Sequence, residues 1–262
     1  MTGCSSVRDV RNVVPRARAR VRLVVACVVV AGLSGAASAW AGSAERTGGQ
    51  AIHFKASDGV ALEGRVYGKG VVGVVLSHQS DGDLASWDEF ASTLVSKGYV
   101  ALAYDARGVC PGGDAGCSKG NQNLNLMWRD IEGATHALRS RGAKRIVLIG
   151  ASAGGEGSVV AASHLTRKIN GVIALSPSEG VGGLSLDLDA ERATVRRITA
   201  RKLFIAGAED GAATDAVDNF YRFARAPKGK RILPTAAHGV GLFASSQRGA
   251  VTAAILRFLA RS

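Results

Sequence analysis

The sequence predicts an α/β fold: a mostly parallel, doubly wound sheet that begins with an antiparallel hairpin and carries no separate lid domain. Short unbroken apolar runs, such as residues 146–149, are typical of strands covered on both faces. These runs alternate with segments of helical period, which indicates βαβ crossovers. The 262-residue chain shows no linker or internal repeat, so we expect one domain over residues 48–262.

The first half of the fold follows from a change of period along the chain. Residues 51–68, AIHFKASDGVALEGRVYG, alternate and turn at Asp58-Gly59, which is the pattern of an antiparallel hairpin. The apolar residues after it predict a strand at 71–77, a helix at 84–97, a strand at 99–104 and a helix at about 122–140.

The second half continues the alternation of strands and helices. Its apolar residues predict a strand at 145–150, a helix from Ala153, a strand at 169–175, a helix at 190–197, a strand at 202–206, a helix at 213–224, a strand at 231–233 and a last helix at 242–260.

The first 39 residues have the composition of a secretory signal peptide. Six arginines and a single acid, Asp9, precede an apolar run over residues 23–33 that is short for a membrane span. Small residues follow, with A-x-A cleavage sites that end at Ala39 and at Ala41. We therefore expect an exported protein, periplasmic or secreted, that is cleaved after one of these two residues. An uncleaved membrane anchor is the alternative.

Charge and composition narrow the range of partners. The chain has a net charge of +12, and removal of the signal segment leaves 27 Lys and Arg against 20 Asp and Glu, or +7. These cations are scattered singly along the sequence, without a basic stripe or interleaved aromatics, so we expect no nucleic-acid partner. Membrane contact is expected only through the signal segment, if that segment is uncleaved. The five histidines show no ligand spacing, so we expect neither a metal nor an organic cofactor.

Cys110 and Cys117 remain once the signal segment is removed, and both lie in the Gly-rich stretch VCPGGDAGCSKG. An even pair of cysteines in an exported protein predicts a disulfide. Closing so short a loop contributes about 2–3 kcal/mol in the loop-entropy model. Two unpaired thiols are the alternative.

The stretch RIVLIGASAGG, residues 145–155, ends an apolar strand on a serine between two glycines. Gly150, Ser152 and Gly154 have the spacing G-x-S-x-G, which suits a tight strand-to-helix turn that lifts the serine hydroxyl off the sheet. The alternative role for Ser152 is an ordinary N-cap of the following helix, because serine is favoured at that position.

Two further residues suited to catalysis follow later strands of the predicted sheet. Asp210 comes after the strand at 202–206, and His238 comes after the strand at 231–233. Because sites form beyond the carboxyl ends of parallel strands, both residues are candidates to meet Ser152. A serine hydroxyl needs an imidazole to take its proton, and the imidazole needs a carboxylate to hold its tautomer. We favour Asp210 as this carboxylate; the alternatives, in order, are Glu209, Asp187 and Asp189.

A tetrahedral intermediate also needs hydrogen-bond donors for its oxyanion. Ala153 supplies one backbone N–H by its position directly after Ser152. The loop His78-Gln79-Ser80, which opens at the end of an early strand, supplies the candidate for the second donor. The alternative for this loop is an ordinary strand-to-helix turn with Asp83 as the helix cap.

Five segments in order carry a family resemblance: Leu76-Ser77-His78, Asp105-Ala106-Arg107-Gly108, Gly150-Ala151-Ser152-Ala153-Gly154, Gly207-Ala208-Glu209-Asp210 and His238-Gly239. On these segments the chain, from about Ile52 to its end, resembles the α/β-hydrolase superfamily, nearest to its dienelactone-hydrolase-like members. The resemblance implies an α/β-hydrolase fold with nucleophile Ser152, acid Asp210, base His238 and the oxyanion donors Ala153 and Ser80.

Three positions depart from the family pattern. Gln79 stands where the family has glycine after the histidine, which leaves the second oxyanion donor open between Gln79 and Ser80. Arg107-Gly108 leads into the cysteine loop rather than into a short Gly-x-Ser turn. The dienelactone enzymes use a cysteine nucleophile, so Ser152 argues against their particular substrate.

The sequence therefore predicts an exported serine hydrolase that cleaves a carboxylic ester, or a similar acyl bond of a small molecule, through an acyl-enzyme. A peptidase or amidase with the same triad is one alternative. A non-catalytic binding protein on this fold is the other, because a fold alone does not fix a function.

Overall fold

An eight-stranded sheet organises the computed structural model, which describes residues 48–111, 116–165, 168–180, 182–183 and 187–262. The predicted signal peptide and both cleavage positions lie outside these residues. The strands are β1 (Gln50–Lys55), β2 (Ala61–Tyr67), β3 (Val72–Ser77), β4 (Val100–Tyr104), β5 (Arg145–Ala151), β6 (Gly171–Leu175), β7 (Arg201–Gly207) and β8 (Lys228–Leu233).

The strand order is β1-β2-β4-β3-β5-β6-β7-β8. β2 pairs antiparallel with both β1 and β4, and every other pairing is parallel. The hairpin turns at Gly59, whose positive φ of 90° suits glycine, and its N–H donates to the carbonyl of Ala56. These pairings confirm the predicted fold class, a mostly parallel doubly wound sheet with an antiparallel start.

Helices cover both faces of the sheet, and their buried side chains form two separate cores. Helices α2 to α5 pack on one face, while α1 and α6 pack on the other. The residues of β3, β4 and β6 are therefore all buried, which explains their unbroken apolar runs. The helices are α1 (Asp88–Ser96), α2 (Met127–Ser140), α3 (Ala153–His164), α4 (Leu188–Arg197), α5 (Gly211–Phe223) and α6 (Arg248–Leu259).

The prediction of the last helix, at 242–260, is wrong over its first turns, because α6 begins at Arg248. A 3₁₀ segment, Gly239–Phe243, precedes α6 and is separated from it by a turn. The Ser245 hydroxyl donates to the carbonyl of Leu242 and accepts the N–H of Gln247. These local bonds satisfy backbone groups that a continuous helix would otherwise pair, so the helical pattern of the sequence is interrupted there.

A buried arginine connects the hairpin turn, the end of β4 and helix α2. The Arg107 guanidinium donates to Asp58 at 2.9 and 3.0 Å and to Asp130 at 3.0 and 2.7 Å. The Arg107 N–H also donates to Asp130, at 3.0 Å. Paired, bidentate bonds of this kind compensate the loss of water around a buried cation. Arg107 therefore fixes the start of the cysteine loop. This gives a structural role to one of the five segments that carry the family resemblance, Asp105-Ala106-Arg107-Gly108.

Cys110 and Cys117 are joined as a disulfide, with 4.2 Å between their Cα atoms. Next to it, the Ser118 hydroxyl donates to the carbonyl of Asp105 and accepts the N–H of Glu63. The loop is therefore attached to β2 and to the end of β4 at its base.

Residues Ala44–Ser262 form one compact unit. Among the described residues between β6 and α4, no further helix or strand is present. Within the described part of the chain, no helix combines the length and apolar character needed to cross a bilayer.

Candidate active site

Ser152 occupies the turn between β5 and α3 with φ 52° and ψ −120°. A positive φ at a residue with a side chain costs about 1–3 kcal/mol and persists only where the surroundings fix it. The Ser152 N–H is held by the carbonyl of Leu175 at 2.9 Å. Its side chain makes no capping hydrogen bond to α3. The hydroxyl is therefore not used as a helix cap, which removes the alternative role for this serine.

The glycines around Ser152 are required by close backbone packing. A side chain on Gly150 would overlap the carbonyl of Gly154, the second residue of α3. A side chain on Gly154 would overlap the carbonyls of Ser77 and His78, at the end of β3. The spacing G-x-S-x-G therefore reflects the contact of three backbone segments, with Ser152 at its apex.

Asp210 and His238 meet beyond the ends of β7 and β8. The His238 Nδ1 lies 2.9 Å from Oδ1 and 3.1 Å from Oδ2 of Asp210. Because a carboxylate only accepts, this Nδ1 carries the proton and donates it, which leaves Nε2 as the unprotonated nitrogen. The Asp210 side chain is 10% exposed and that of His238 is 43% exposed. The pair is therefore a partly exposed imidazole that a largely buried carboxylate orients.

The other candidate carboxylates are engaged elsewhere. Glu209 is exposed, next to Asp210 in the same turn. Asp187 caps α4 by accepting the N–H groups of Asp189 and Ala190, and Asp189 pairs with Arg192 at 3.1 Å. The contact with His238 thus favours Asp210 over these carboxylates.

The start of the histidine loop lies close to the serine turn. A side chain built on Gly239, which has φ 55°, would lie 3.5 Å from the Ala151 Cβ and 2.5 Å from the Gln79 Oε1. A Cβ at position 239 would therefore meet the side chains of Ala151 and Gln79, and the positive φ also favours glycine there.

His78, in the loop after β3, is a fully buried structural histidine. Its Nδ1 donates to the carbonyl of Gln79 at 2.6 Å, and its Nε2 accepts the N–H of Ala106 at 3.0 Å. Both ring nitrogens are thus occupied in the neutral form. Burial lowers the pKa of His78, because the charged ring would lose its hydration. His78 therefore fixes the loop and is not available as a base.

Gln79 has a bridging role that its position in the sequence did not reveal. Its Oε1 accepts the N–H of Val240 at 3.3 Å, and its Nε2 donates to Asp81 at 2.8 Å. The side chain that replaces the family's glycine therefore connects the loop after β3 to the loop that carries His238.

Three carboxylates were not recognised from the sequence: the buried Glu156 and Glu191 and the half-buried Glu179. Glu156, one turn into α3, accepts the Ser178 hydroxyl at 3.1 Å, and Glu179 accepts the Asn219 amide at 3.0 Å. Glu191 on α4 is 1% exposed, and its Oε1 has no hydrogen-bond partner. Burial raises the pKa of Glu191 to about 7, and the charges of Glu179 and Glu156 add to this effect. A lone acid in the small-residue helix AGGEGSVVAAS was the one signal available.

Among the described residues, no group of three or more His, Cys, Asp or Glu side chains is arranged to hold a metal ion. Of the arrangement needed for proton transfer from a serine hydroxyl, the distances establish one part, an imidazole held by a carboxylate.

Comparison with known proteins gives one family match and many similar structures. The family model described as serine aminopeptidase, S33, matches residues 72–203. No curated protein matches the chain. Similar solved structures include an esterase of Pyrococcus furiosus, Pf2001, with 18% identity and a TM-score of 0.67 over 81% of this chain and 90% of that one.

Two further solved structures are similar to this chain at about the same identity and TM-score. An enol-lactonase from Burkholderia xenovorans LB400 has 19% identity and a TM-score of 0.61 over 79% of this chain and 99% of that one. A hydrolase from Pseudomonas aeruginosa PA01 has 21% identity and a TM-score of 0.63 over 80% and 98%. At these identities the likeness concerns the fold alone.

Replacing the buried Glu191 with Gln should stabilise the protein, and more so at high pH. Between about pH 4.5 and 7 the unfolded chain ionises this carboxyl while the folded protein keeps it protonated, so stability falls as pH rises through this window. Glu191→Gln removes that loss. We expect the gain in stability to be about 2–3 kcal/mol larger at pH 8 than at pH 5, which corresponds to a gain in Tm that is about 5–10 °C larger.

Thermal unfolding of both proteins at the two pH values measures this difference. Glu132→Gln, on the partly exposed face of α2, is the matched control and should show no such pH dependence. An equal gain for Glu191→Gln at both pH values would contradict the assignment of a protonated, buried carboxyl.

Proposed function

The chain belongs to the serine aminopeptidase S33 family of α/β-hydrolases and is a serine hydrolase, and on that premise we propose that it cleaves a carboxylic ester through a Ser152–His238–Asp210 triad. The observation that carries this proposal is the hydrogen bond from His238 Nδ1 to Asp210. The bond leaves Nε2 unprotonated, and we assign to this nitrogen the proton of the Ser152 hydroxyl.

The first half-reaction forms an acyl-enzyme. His238 Nε2 takes the proton of the Ser152 hydroxyl as Oγ attacks the ester carbonyl carbon, so the carbonyl oxygen becomes an oxyanion. Asp210 stabilises the imidazolium that results. When the intermediate collapses, the C–O bond to the alcohol breaks and His238 returns the proton to the leaving oxygen.

The second half-reaction frees the enzyme. His238 removes a proton from water, whose oxygen attacks the acyl carbon of Ser152. Collapse of this intermediate breaks the bond to Oγ, and the proton returns to Ser152. The products are an alcohol and a carboxylic acid, and no metal or organic cofactor takes part in either step.

Two backbone N–H groups are proposed to bind the oxyanion. The N–H of Ala153 lies in the first turn of α3, where it has no partner within the helix and where the helix dipole favours negative charge. For the second donor we favour Ser80 over Gln79. The Gln79 carbonyl faces His78, and in a planar trans peptide the Ser80 N–H points the opposite way.

The choice of an ester is supported by the similar structures, which include an esterase and an enol-lactonase. The family description, serine aminopeptidase, favours a second candidate: hydrolysis of the N-terminal amide of a peptide. Both reactions use the same triad, but an amine leaving group depends more strongly on protonation by His238.

We also propose that the protein is exported and that the Arg-rich N-terminal segment is removed. The support is the sequence of residues 1–41 alone.

Ser152→Ala should abolish labelling by a fluorophosphonate and reduce ester hydrolysis to background, because the substitution removes the hydroxyl that is proposed to attack the substrate. Labelling and hydrolysis of p-nitrophenyl acetate and butyrate measure this. Ser80→Ala, which keeps its backbone N–H, is the control and should retain both. A fully active Ser152→Ala variant would exclude this nucleophile.

The same assay distinguishes the two substrate classes. Wild-type protein should hydrolyse the p-nitrophenyl esters and leave aminoacyl p-nitroanilides intact. Faster turnover of the anilides would establish the aminopeptidase candidate instead.

Asp210→Asn should lower kcat by about 10³–10⁴-fold, because an amide neither holds the Nδ1–H tautomer nor stabilises the imidazolium. Glu209→Gln, its exposed neighbour, is the matched control and should change kcat by less than about threefold. Steady-state kinetics with one ester measures both. The reverse order of effects would move the acid to Glu209.

Export predicts the N-terminus of the mature protein. Because the A-x-A sites end at Ala39 and Ala41, N-terminal sequencing of exported protein should give Trp40 or Gly42. An intact Met1 on exported material would refute the cleavage.

A further inference from the structure

Cations gather at the edge of the sheet opposite Ser152. Four segments border this edge, where helices α2, α4, α5 and α6 end and strands β5, β7 and β8 begin. Their sequences, RSRGAKR, RRITARK, RFARAPKGKR and RFLAR, contain fifteen Arg and Lys residues and no Asp or Glu. We call them together the basic edge: residues 139–145, 196–202, 222–231 and 257–261.

A groove in the basic edge has a volume of about 380 Å³ between β7, β8 and α6. Its charged lining is entirely positive and consists of Arg201, Lys202, Lys228, Arg231, Arg257 and Arg261. Within the described part of the chain, none of these six side chains forms an ion pair. The groove is therefore a concentration of positive charge that the protein itself does not neutralise.

Carbonyl groups, rather than carboxylates, hold the inner cations of the groove. The Lys202 ammonium donates to the carbonyls of Ile198 and Ala200, and Lys228 donates to the carbonyl of Tyr221. Burial, together with the charge of Lys228, lowers the pKa of Lys202 to about 8. An external anion would relieve this repulsion, since it supplies the missing negative charge.

Helix dipoles account for only some of these cations. A cation in the last turn of a helix is stabilised by the dipole, which applies to five residues of the basic edge: Arg139, Arg196, Arg197, Arg222 and Arg257. Arg201, Lys202 and Lys228 lie in β7 and β8. Their side chains donate to carbonyls at or just past helix ends, namely those of Arg261 after α6, Ile198 after α4 and Tyr221 in α5. Partial negative charge at helix ends therefore holds these strand cations, and none of them pairs with a carboxylate among the described residues.

The positive charge of the basic edge extends over both faces of the sheet. The groove lies against α6 on one face of the sheet, and Arg196, Arg222 and Arg225 line a further depression between α4 and α5 on the other face. A flat anionic surface matches this breadth better than a linear polymer does. Phe258, the aromatic residue of the groove, is 7% exposed and offers little surface for stacking nucleobases.

We propose that the basic edge docks on a membrane surface rich in anionic phospholipid headgroups, with lipid phosphates seated in the groove. Guanidinium groups pair with phosphate oxygens through two parallel hydrogen bonds, which suits the arginines here. Docking of this kind is electrostatic and peripheral, and it leaves the Ser152 edge facing away from the bilayer. The proposal does not depend on the substrate or on the triad.

Co-sedimentation of the full-length chain with vesicles tests the proposal. Vesicles of phosphatidylcholine with 30% phosphatidylglycerol should bind the protein at low salt and release it at high salt, whereas pure phosphatidylcholine should not bind. Arg257→Gln combined with Arg261→Gln should weaken binding by about 10–30-fold. Lys55→Gln combined with Lys119→Gln, two exposed cations outside the basic edge, removes the same charge and should change binding less than about twofold.

Hydrogen exchange separates this edge from the Arg-rich N-terminal segment, which all variants share. Anionic vesicles should protect residues 222–231 and 257–261, and the arginine double variant should lose that protection. Vesicle binding without this protection, or equal affinity of the two double variants, would overturn the proposal. Protection of the same segments by duplex DNA at lower concentration than by vesicle lipid would assign the edge to nucleic acid instead.

Discussion

Three backbone segments approach so closely around Gly150 and Gly154 that they fix the position of Ser152. β5 is a central strand, paired with β3 and β6 on its two sides, so its end cannot shift without disturbing the sheet. α3 begins directly against the end of β3, with no room for a side chain at either glycine. The strained backbone of Ser152 persists because this packing leaves the turn no alternative.

Hydrogen bonds arrange the remaining loops around that fixed turn. The neutral His78 ring joins the loop after β3 to the loop after β4, and Gln79 joins it to the loop that carries His238. Asp210 then orients His238 from the end of β7. Each loop begins at the carboxyl end of a different strand. These contacts therefore hold loop residues that are far apart in the sequence at the same edge of the sheet as Ser152.

The two edges of the sheet have opposite chemistry. Asp83, Asp105, Glu209 and Asp210 follow strand ends at the edge that carries Ser152, whereas the basic edge contains no acid. Parallel strands with antiparallel helices impose a direction on the molecule, because every crossover helix begins at the first edge and ends at the second. Helix dipoles favour this same separation of charge. One edge is thereby suited to chemistry on a substrate, and the other to contact with an anion.

The sequence by itself determined the strands, the hairpin and the turn at Ser152, because period and glycine spacing express steric rules that act over a few residues. It did not reveal that Ser245 interrupts the last helix, that Gln79 bridges two loops or that Glu191 is buried without a partner. Fifteen Arg and Lys residues, in four segments far apart in the sequence, lie at one edge of the sheet. Only the tertiary structure decided these points, since each depends on distances between residues that the sequence places far apart or on which local hydrogen bonds prevail once the chain is packed.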